Sequence, residues 1–326
     1  EIVQAVLSVS YMLSMVRGLK TPTIWDLVLI LGCIMSNSFE NPKKIRFTFT
    51  LAIGSFEDGS HQVIIEGFRS AVEIQKAGGS MMVTATAKIW GLSQDIMSRL
   101  TTLAFFSFIY AKNTIKIEAV DGDTATTVYT GSILNAWADY SATPDVFLYI
   151  ETQVGHFSQL TIDKTLEYQG VWQVANLMEI IASRLGVAFE NNNVTKTISN
   201  PKYNGSLIDQ LRQLGQDTQT DFYLDNDVLA ICPRNVPRTV GQNVIPIISD
   251  KTGMIGYPTF NTVGIIFRTL FNPTIVFGGQ ITVESDIKQA NGLWQTFSIN
   301  HYLESEKPDG QWFSTITCLF SGLVPR

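Results

Sequence analysis

The stretch Thr252–Ser285, TGMIGYPTFNTVGIIFRTLFNPTIVFGGQITVES, restricts the fold more than any other part of the chain. Pro258 and Pro273 have no amide hydrogen and push the residue before them into an extended conformation, which bars both from a helix interior or a central ladder. Gly253, Gly256, Gly264, Gly278 and Gly279 supply bends or close backbone approach. Between them, Val263–Phe267 and Gln280–Val283 are β-branched and aromatic runs of strand length. The stretch is therefore β structure broken by turns. It carries no catalytic group and reads as a surface that packs against protein.

The 326-residue chain has room for two or three domains. Hydrophobic residues make up 45% and charged residues only 16%, so disorder is excluded and large protein interfaces are expected. The net charge of −6 disfavours tight nucleic-acid binding, while a weakly acidic surface lets DNA pass without sticking. Cys33, Cys232 and Cys318 are odd in number and far apart, with no metal spacing and no disulfide framework, as in a reducing cytoplasm.

The first β domain spans residues 36–160. Arg46–Ile53 alternates, with Phe47, Phe49, Leu51 and Ile53 on one face. Val63–Ile65 and Ala71–Gln75 are short strands around Gly67, and Gly78-Gly79-Ser80 is a turn. Val83–Trp90 alternates again, with Val83, Ala85, Ala87 and Ile89 inward; the small alanines fit a narrow barrel interior or a second layer packed close. Ser93 caps a helix over Gln94–Leu103 with Ile96, Leu100 and Leu103 as its stripe. Thr114–Val120 and Thr126–Tyr129 flank the Asp121-Gly122 hairpin signal, and Ile133–Tyr140 and Val146–Thr152 add two strands.

A small α/β module follows over residues 161–238. Val174, Leu177, Met178, Ile181 and Leu185 recur at helical spacing and Gly186 ends that helix. Asn191-Asn192-Asn193 is a polar turn. Ser206 with Asp209 opens a helix carrying Leu207, Leu211 and Leu214. Asp221–Leu224 and Val228–Cys232 flank Asp225-Asn226-Asp227 as a hairpin. That triplet lacks the glycine and the glutamate of a calcium loop and reads as a plain turn. The last domain, residues 239–326, returns to β structure, with Thr296–Leu303 and Trp312–Phe320 pairing across the Pro308-Asp309-Gly310 turn.

Residues 1–35 stand apart. Leu27–Ile34 is apolar but far short of the ~20 residues that span a bilayer. Three readings are open: upstream read-through with Met35 as the start, a helix docking on a partner, or a lipoprotein leader with Arg17 and Lys20 ahead of the apolar run and Gly32-Cys33 as its cleavage site.

No HExxH, G-x-S-x-G, phosphate-loop or dinucleotide fingerprint occurs, and His61, His156 and His301 are not at metal-ligand spacing. No catalytic, cofactor or metal residue is assigned, and the chain is read as a non-enzyme.

The phrases IGYPTF, GIIFRTLFNP and FGG, followed by HYLESEKPDGQWFSTI, resemble the C-terminal part of the baseplate hub proteins of contractile-tailed bacteriophages. The resemblance covers residues 36–320. It implies a mainly β fold with two tail-tube-like β-barrel domains flanking or interleaved with an α/β insert, GFRSAVEIQKAGGSMMVTATAKIWGLS being the strand–turn–strand that leads into the first barrel's helix. It further implies a homotrimer presenting six barrels in a pseudo-sixfold ring that joins the sixfold tube to a threefold spike. The partners so implied are the tail tube protein, a separate central spike protein and other baseplate proteins, with DNA only as passing cargo and no membrane insertion. The location is the virion baseplate after assembly in the host cytoplasm. Tyr257, Phe260, Arg268, Phe271 and Trp312 are the interface candidates by position in the family and by residue type, since aromatics and arginine dominate interface hot spots; core positions are the alternative for each. Two other readings stand beside this one: the hub of a contractile injection or secretion device, and a surface β lipoprotein or polysaccharide-binding protein anchored at Cys33.

Overall fold

The structure is a computed structural model that describes residues 43–320, apart from 79–80, 102–112, 123, 142, 241 and 243. The expectations for residues 1–35, the Gly79-Ser80 half of one turn and the end of the first helix at Leu103 lie outside the described residues. Among the described residues, strand accounts for 49% and helix for 15%, so the fold is mainly β, as the alternating runs require.

The first segment comprises β1 (Lys44–Thr50), β2 (Gln62–Glu66), β3 (Ser70–Lys76), β4 (Thr84–Trp90), helix α1 (Gln94–Leu100), β5 (Thr114–Asp121), β6 (Thr124–Asp139) and β7 (Phe147–Gln153). In β4 the alternation is realised as read: Ala85, Ala87 and Ile89 are buried, and the residues between them face out. The Ser93 side chain accepts from the Ile96 amide at 3.3 Å and so satisfies one of the free donors at the start of α1. The helix turns Met97 and Leu100 into the core, with Ile96 only packed against its margin. Two local expectations differ. β1 stops at Thr50, and Ile53 is exposed in the turn leading to Gly54, which takes a left-handed φ of 85°. The two strands expected at Thr126–Tyr129 and Ile133–Tyr140 are one 16-residue strand, β6. Gly131 is no break. A Cβ there would overlap the hydroxyl of the fully buried Tyr129, so the glycine makes room for a ring inside the strand.

The middle segment holds α2 (His156–Leu160), β8 (Leu166–Glu167), β9 (Val171–Gln173), α3 (Val174–Leu185), β10 (Ala188–Asn191), β11 (Thr197–Ser199), β12 (Lys202–Tyr203), α4 (Leu207–Thr218), β13 (Thr220–Asp225) and β14 (Val228–Pro233). α3 buries Val174, Leu177, Met178 and Ile181 and ends at Gly186 with φ 74°, where a side chain would be strained. α4 opens with the reciprocal capping box of Ser206 and Asp209. β10, β14 and β13 form a three-stranded sheet, and the β13–β14 turn places Asn226 and Asp227 at φ 48° and 59°. Two buried ion pairs fasten this segment. Lys76 Nζ of β3 lies 2.7 Å from Asp225 Oδ2, and Arg238 grips Glu190 through two donors at 2.7 and 2.6 Å. Asn192, read as part of a polar turn, is buried, and its side-chain Oδ1 accepts from the amides of Thr239 and Val240.

The last segment contains β15 (Ile247–Ile248), β16 (Met254–Phe260), β17 (Gly264–Leu270), β18 (Gln280–Val283), β19 (Gly292–Ser305) and β20 (Trp312–Phe320). The first and last segments share one 13-stranded sheet in the order β16-β17-β20-β19-β3-β4-β7-β6-β5-β1-β2, with β18 on β19 and β15 on β18. The seam is an antiparallel ladder of β3 with the second half of β19, running from Ser70 opposite Ser305 to Lys76 opposite Ile299. The first half of β19 pairs with β18 instead, from Gly292 to Gln295. One hydrophobic core runs continuously beneath all three segments.

Candidate assembly surfaces

The main path of the sheet has two ends, beside the two-residue β15 that ends its side branch, and each is a row of backbone donors and acceptors without a ladder partner among the described strands. At one end lies β16. Pro258 removes a donor, Gly256 takes φ 74°, and the register with β17 shifts between Ile255 and Thr259. The strand is thereby bent, and both of its faces show side chains: Ile255 is 41%, Tyr257 64% and Phe260 55% exposed. At the other end lies β2, whose register with β1 is unbroken from Glu66 opposite Arg46 to Gln62 opposite Thr50. It has no proline and no bulge. Ile65 points into the core and Ile64 is 62% exposed.

The five interface candidates divide into two groups. Tyr257 and Phe260 are exposed on β16, and Arg268 is exposed on the neighbouring β17, its guanidinium 4.3 Å from the centre of the Phe313 ring. Phe271 and Trp312 are buried: their rings meet edge to face at 5.9 Å, and Phe271 also meets the His301 ring at 5.3 Å. Those two support the interior of this chain. Ile64 escaped the sequence reading, although adjacent isoleucines in a short strand require one of them to face outward. A cationic and aromatic row across β4, β7 and β6 escaped it as well. Trp90 lies against Phe147 and Trp137 against Tyr149, Lys88 sits over both Phe147 and Tyr149, and Arg69 covers Trp90.

The titratable interior has structural partners. His301 is buried with Nδ1 2.7 Å from the Ser314 hydroxyl, and burial, reinforced by the nearby Lys76 charge, holds its pKa well below the ordinary imidazole range. Cys232 and Cys318 are buried free thiols; burial pushes Cys232 up to about 12 and Cys318 up as well. Asp225, in the triplet read as a plain turn, ends β13 and binds Lys76. Among the described residues no group of three or more His, Cys, Asp or Glu could hold a metal ion, and no helix is long and apolar enough to cross a membrane.

The architecture is that of phage tail proteins and of a tail-like component of a bacterial secretion system. The 43 kDa tail protein of prophage MuSo2 from Shewanella oneidensis superposes with a TM-score of 0.57 at 10% identity, covering 85% of this chain and 97% of that one. The tail protein from Neisseria meningitidis MC58 gives the same four values, 0.57, 10%, 85% and 97%. The Escherichia coli c3393 protein, a component of the type VI secretion system with structural similarity to the T4 tail proteins gp27 and gp5, gives 0.53 at 9% identity over 77% of this chain and 73% of that one. No curated protein matches the sequence. The chain belongs to the baseplate hub gp41 family, whose profile matches residues 45–318.

Proposed function

We propose that the chain is a structural hub of a phage baseplate, working as a homotrimeric ring between the tail tube and a separate central spike protein, with a channel through which DNA passes. Family membership over residues 45–318 is the observation that carries this reading. The single sheet joining the first and last segments adds to it, because the ladder of β3 with β19 fixes two β units rigidly side by side in one chain. Three such chains would present six units to a sixfold tube while keeping threefold symmetry for a spike. The work of the protein is then shape and interface, with no covalent step. The low charged fraction of 16% suits a chain that hides much of its surface in an assembly.

Light scattering after size exclusion tests the ring: a mass three times that of the chain is expected, with a central channel in particle images. A monomer that fails to assemble with the neighbouring tube and spike proteins would overturn it. The fold shared with the secretion-system component keeps a contractile injection device as the second reading. The identity of the proteins captured by the ring decides between the two.

A further inference from the structure

The sequence holds two Asn-Gly pairs, Asn204-Gly205 and Asn291-Gly292, and the fold treats them oppositely. In such a pair the glycine has no Cβ to shield its backbone nitrogen. That nitrogen can reach the side-chain carbonyl carbon of the asparagine and close a five-membered ring. Closure needs a glycine amide that is not hydrogen-bonded and an asparagine side chain whose nitrogen is free to leave.

Asn291 is clamped at both ends of its amide. Oδ1 accepts from the Ser285 amide at 2.6 Å, and Nδ2 donates to the Ser285 carbonyl oxygen at 2.9 Å. Gly292 begins β19 and is paired with Val283 of β18. Asn204 instead lies exposed in the connection between β12 and α4. Its Oδ1 accepts from the Thr165 hydroxyl at 2.7 Å, while among the described residues neither its Nδ2 nor the Gly205 amide donates to any group. Gly205 takes φ 105°, a conformation that side chains rarely adopt. The Thr165 hydroxyl is aimed at the oxygen that gains charge as the ring closes.

We propose that Asn204 is a site of spontaneous deamidation, with water as the only co-reactant. Hydroxide takes the Gly205 amide proton, the nitrogen bonds to Cγ of Asn204, and negative charge gathers on Oδ1 beside the Thr165 hydroxyl. The Cγ–Nδ2 bond then breaks, and Nδ2 leaves as ammonia with a proton from water, which returns the hydroxide. Water next opens the cyclic imide at one of its two carbonyls. The product is aspartate, or isoaspartate, in which the main chain runs through Cβ and Cγ. Nothing is oxidised or reduced.

The place of the change gives it a consequence. Residues 203–205 hang on α4: Tyr203 Oη donates to Asp217 at 2.9 Å, and Gln213 and Gln210 each donate at 3.1 Å to the carbonyl oxygens of Asn204 and Gly205. Ser206 follows at once with its capping box. The isoaspartyl form adds one backbone atom ahead of these anchors and shifts them out of register with the helix. Its folded-to-unfolded ratio should fall about fivefold, as on loss of a helix cap. The aspartyl form adds charge alone, beside a helix N-terminus that favours negative charge.

Peptide mapping by mass spectrometry of the full chain, held folded at pH 8 and sampled over time, tests the site. Asn204 should gain about one mass unit roughly tenfold or more faster than Asn291, whose reaction waits on local opening, and in denaturant the two rates should converge. Asn204→Gln should abolish the change, because a six-membered ring closes far more slowly. Equal rates at the two sites in the folded chain, or an Asn204 that stays intact while the denatured chain reacts, overturns the assignment. Urea unfolding of the aged isoaspartyl fraction, separated by chromatography, tests the consequence, with Asn204→Asp as the control for charge. An isoaspartyl chain as stable as Asn204→Asp refutes the uncapping.

Discussion

Replacing Lys76 with Met should unfasten the α/β segment from the main sheet. The Lys76–Asp225 pair is 2.7 Å long, with the two side chains only 7% and 9% exposed. It links β3, the strand at the seam, to the turn of the β13–β14 hairpin. Removing one partner of such a pair leaves an uncompensated buried charge, which costs about 3–5 kcal/mol. Since 1.4 kcal/mol is tenfold, the folded-to-unfolded ratio should fall by roughly two to three and a half powers of ten. Whole-domain stabilities are about 5–15 kcal/mol, so the loss is a large part of the total. The double variant Lys76→Met, Asp225→Leu should recover most of it, because an apolar pair of similar volume costs little where a buried ion pair stood. Urea unfolding of wild type, both single variants and the double variant, at one protein concentration, gives the coupling energy directly. Amide exchange should show protection lost over residues 188–233 before the main sheet opens. A single-variant loss below about 1 kcal/mol, or a double variant as unstable as the sum of the singles, would refute this account of the pair.

Ser206→Ala removes the side chain that accepts from the Asp209 amide at 3.2 Å and should cost about 1 kcal/mol in the same unfolding assay, with Ser206→Asn largely restoring it. Site-resolved mass spectrometry after brief exposure to a thiol reagent at pH 8 should find Cys232 and Cys318 unmodified in the folded chain and fully modified in denaturant, since burial raises both thiol pKa values. For His301 the folded pKa lies below the unfolded value of about 6.5, so the unfolded chain binds the extra proton first and stability falls as the pH drops below about 6.5. The slope from this residue is about 1.4 kcal/mol per pH unit, and urea midpoints for His301→Asn measured between pH 7 and 5.5 should lack that share.

Much of the local structure was legible because it is decided within a few residues. Ser93, the Ser206 and Asp209 pair, Gly186 and the Asp121-Gly122 turn each place a boundary by satisfying or freeing neighbouring backbone groups. The continuity of β6 was not legible, because a glycine such as Gly131 that makes room for a buried ring looks in sequence like one that serves a turn. Phe271 and Trp312 belong to the types that fill both interfaces and cores. The alternation of β20 carried a usable signal, since Trp312 shares its face with the buried Ser314, Ile316 and Cys318. The seam of β3 with β19 was not legible, because nothing in either segment names its partner. The resemblance supplied the expectation of a mainly β, tail-like fold; the sheet order located the end strands β2 and β16 of its main path.

The seam also sets a clock. Ser70 and Ser305 lie far apart along the chain, so the strand that covers the β3 edge leaves the ribosome long after β3 itself. At about 5–20 residues per second, β3 waits on the order of ten to fifty seconds for its partner. Loop closure over so long a span also slows the pairing itself. Through that interval the nascent chain displays a regular edge that neighbouring nascent chains on the same message can invade. Synthesis conditions that spread ribosomes out, or a chaperone that occupies the edge, should therefore raise the soluble yield.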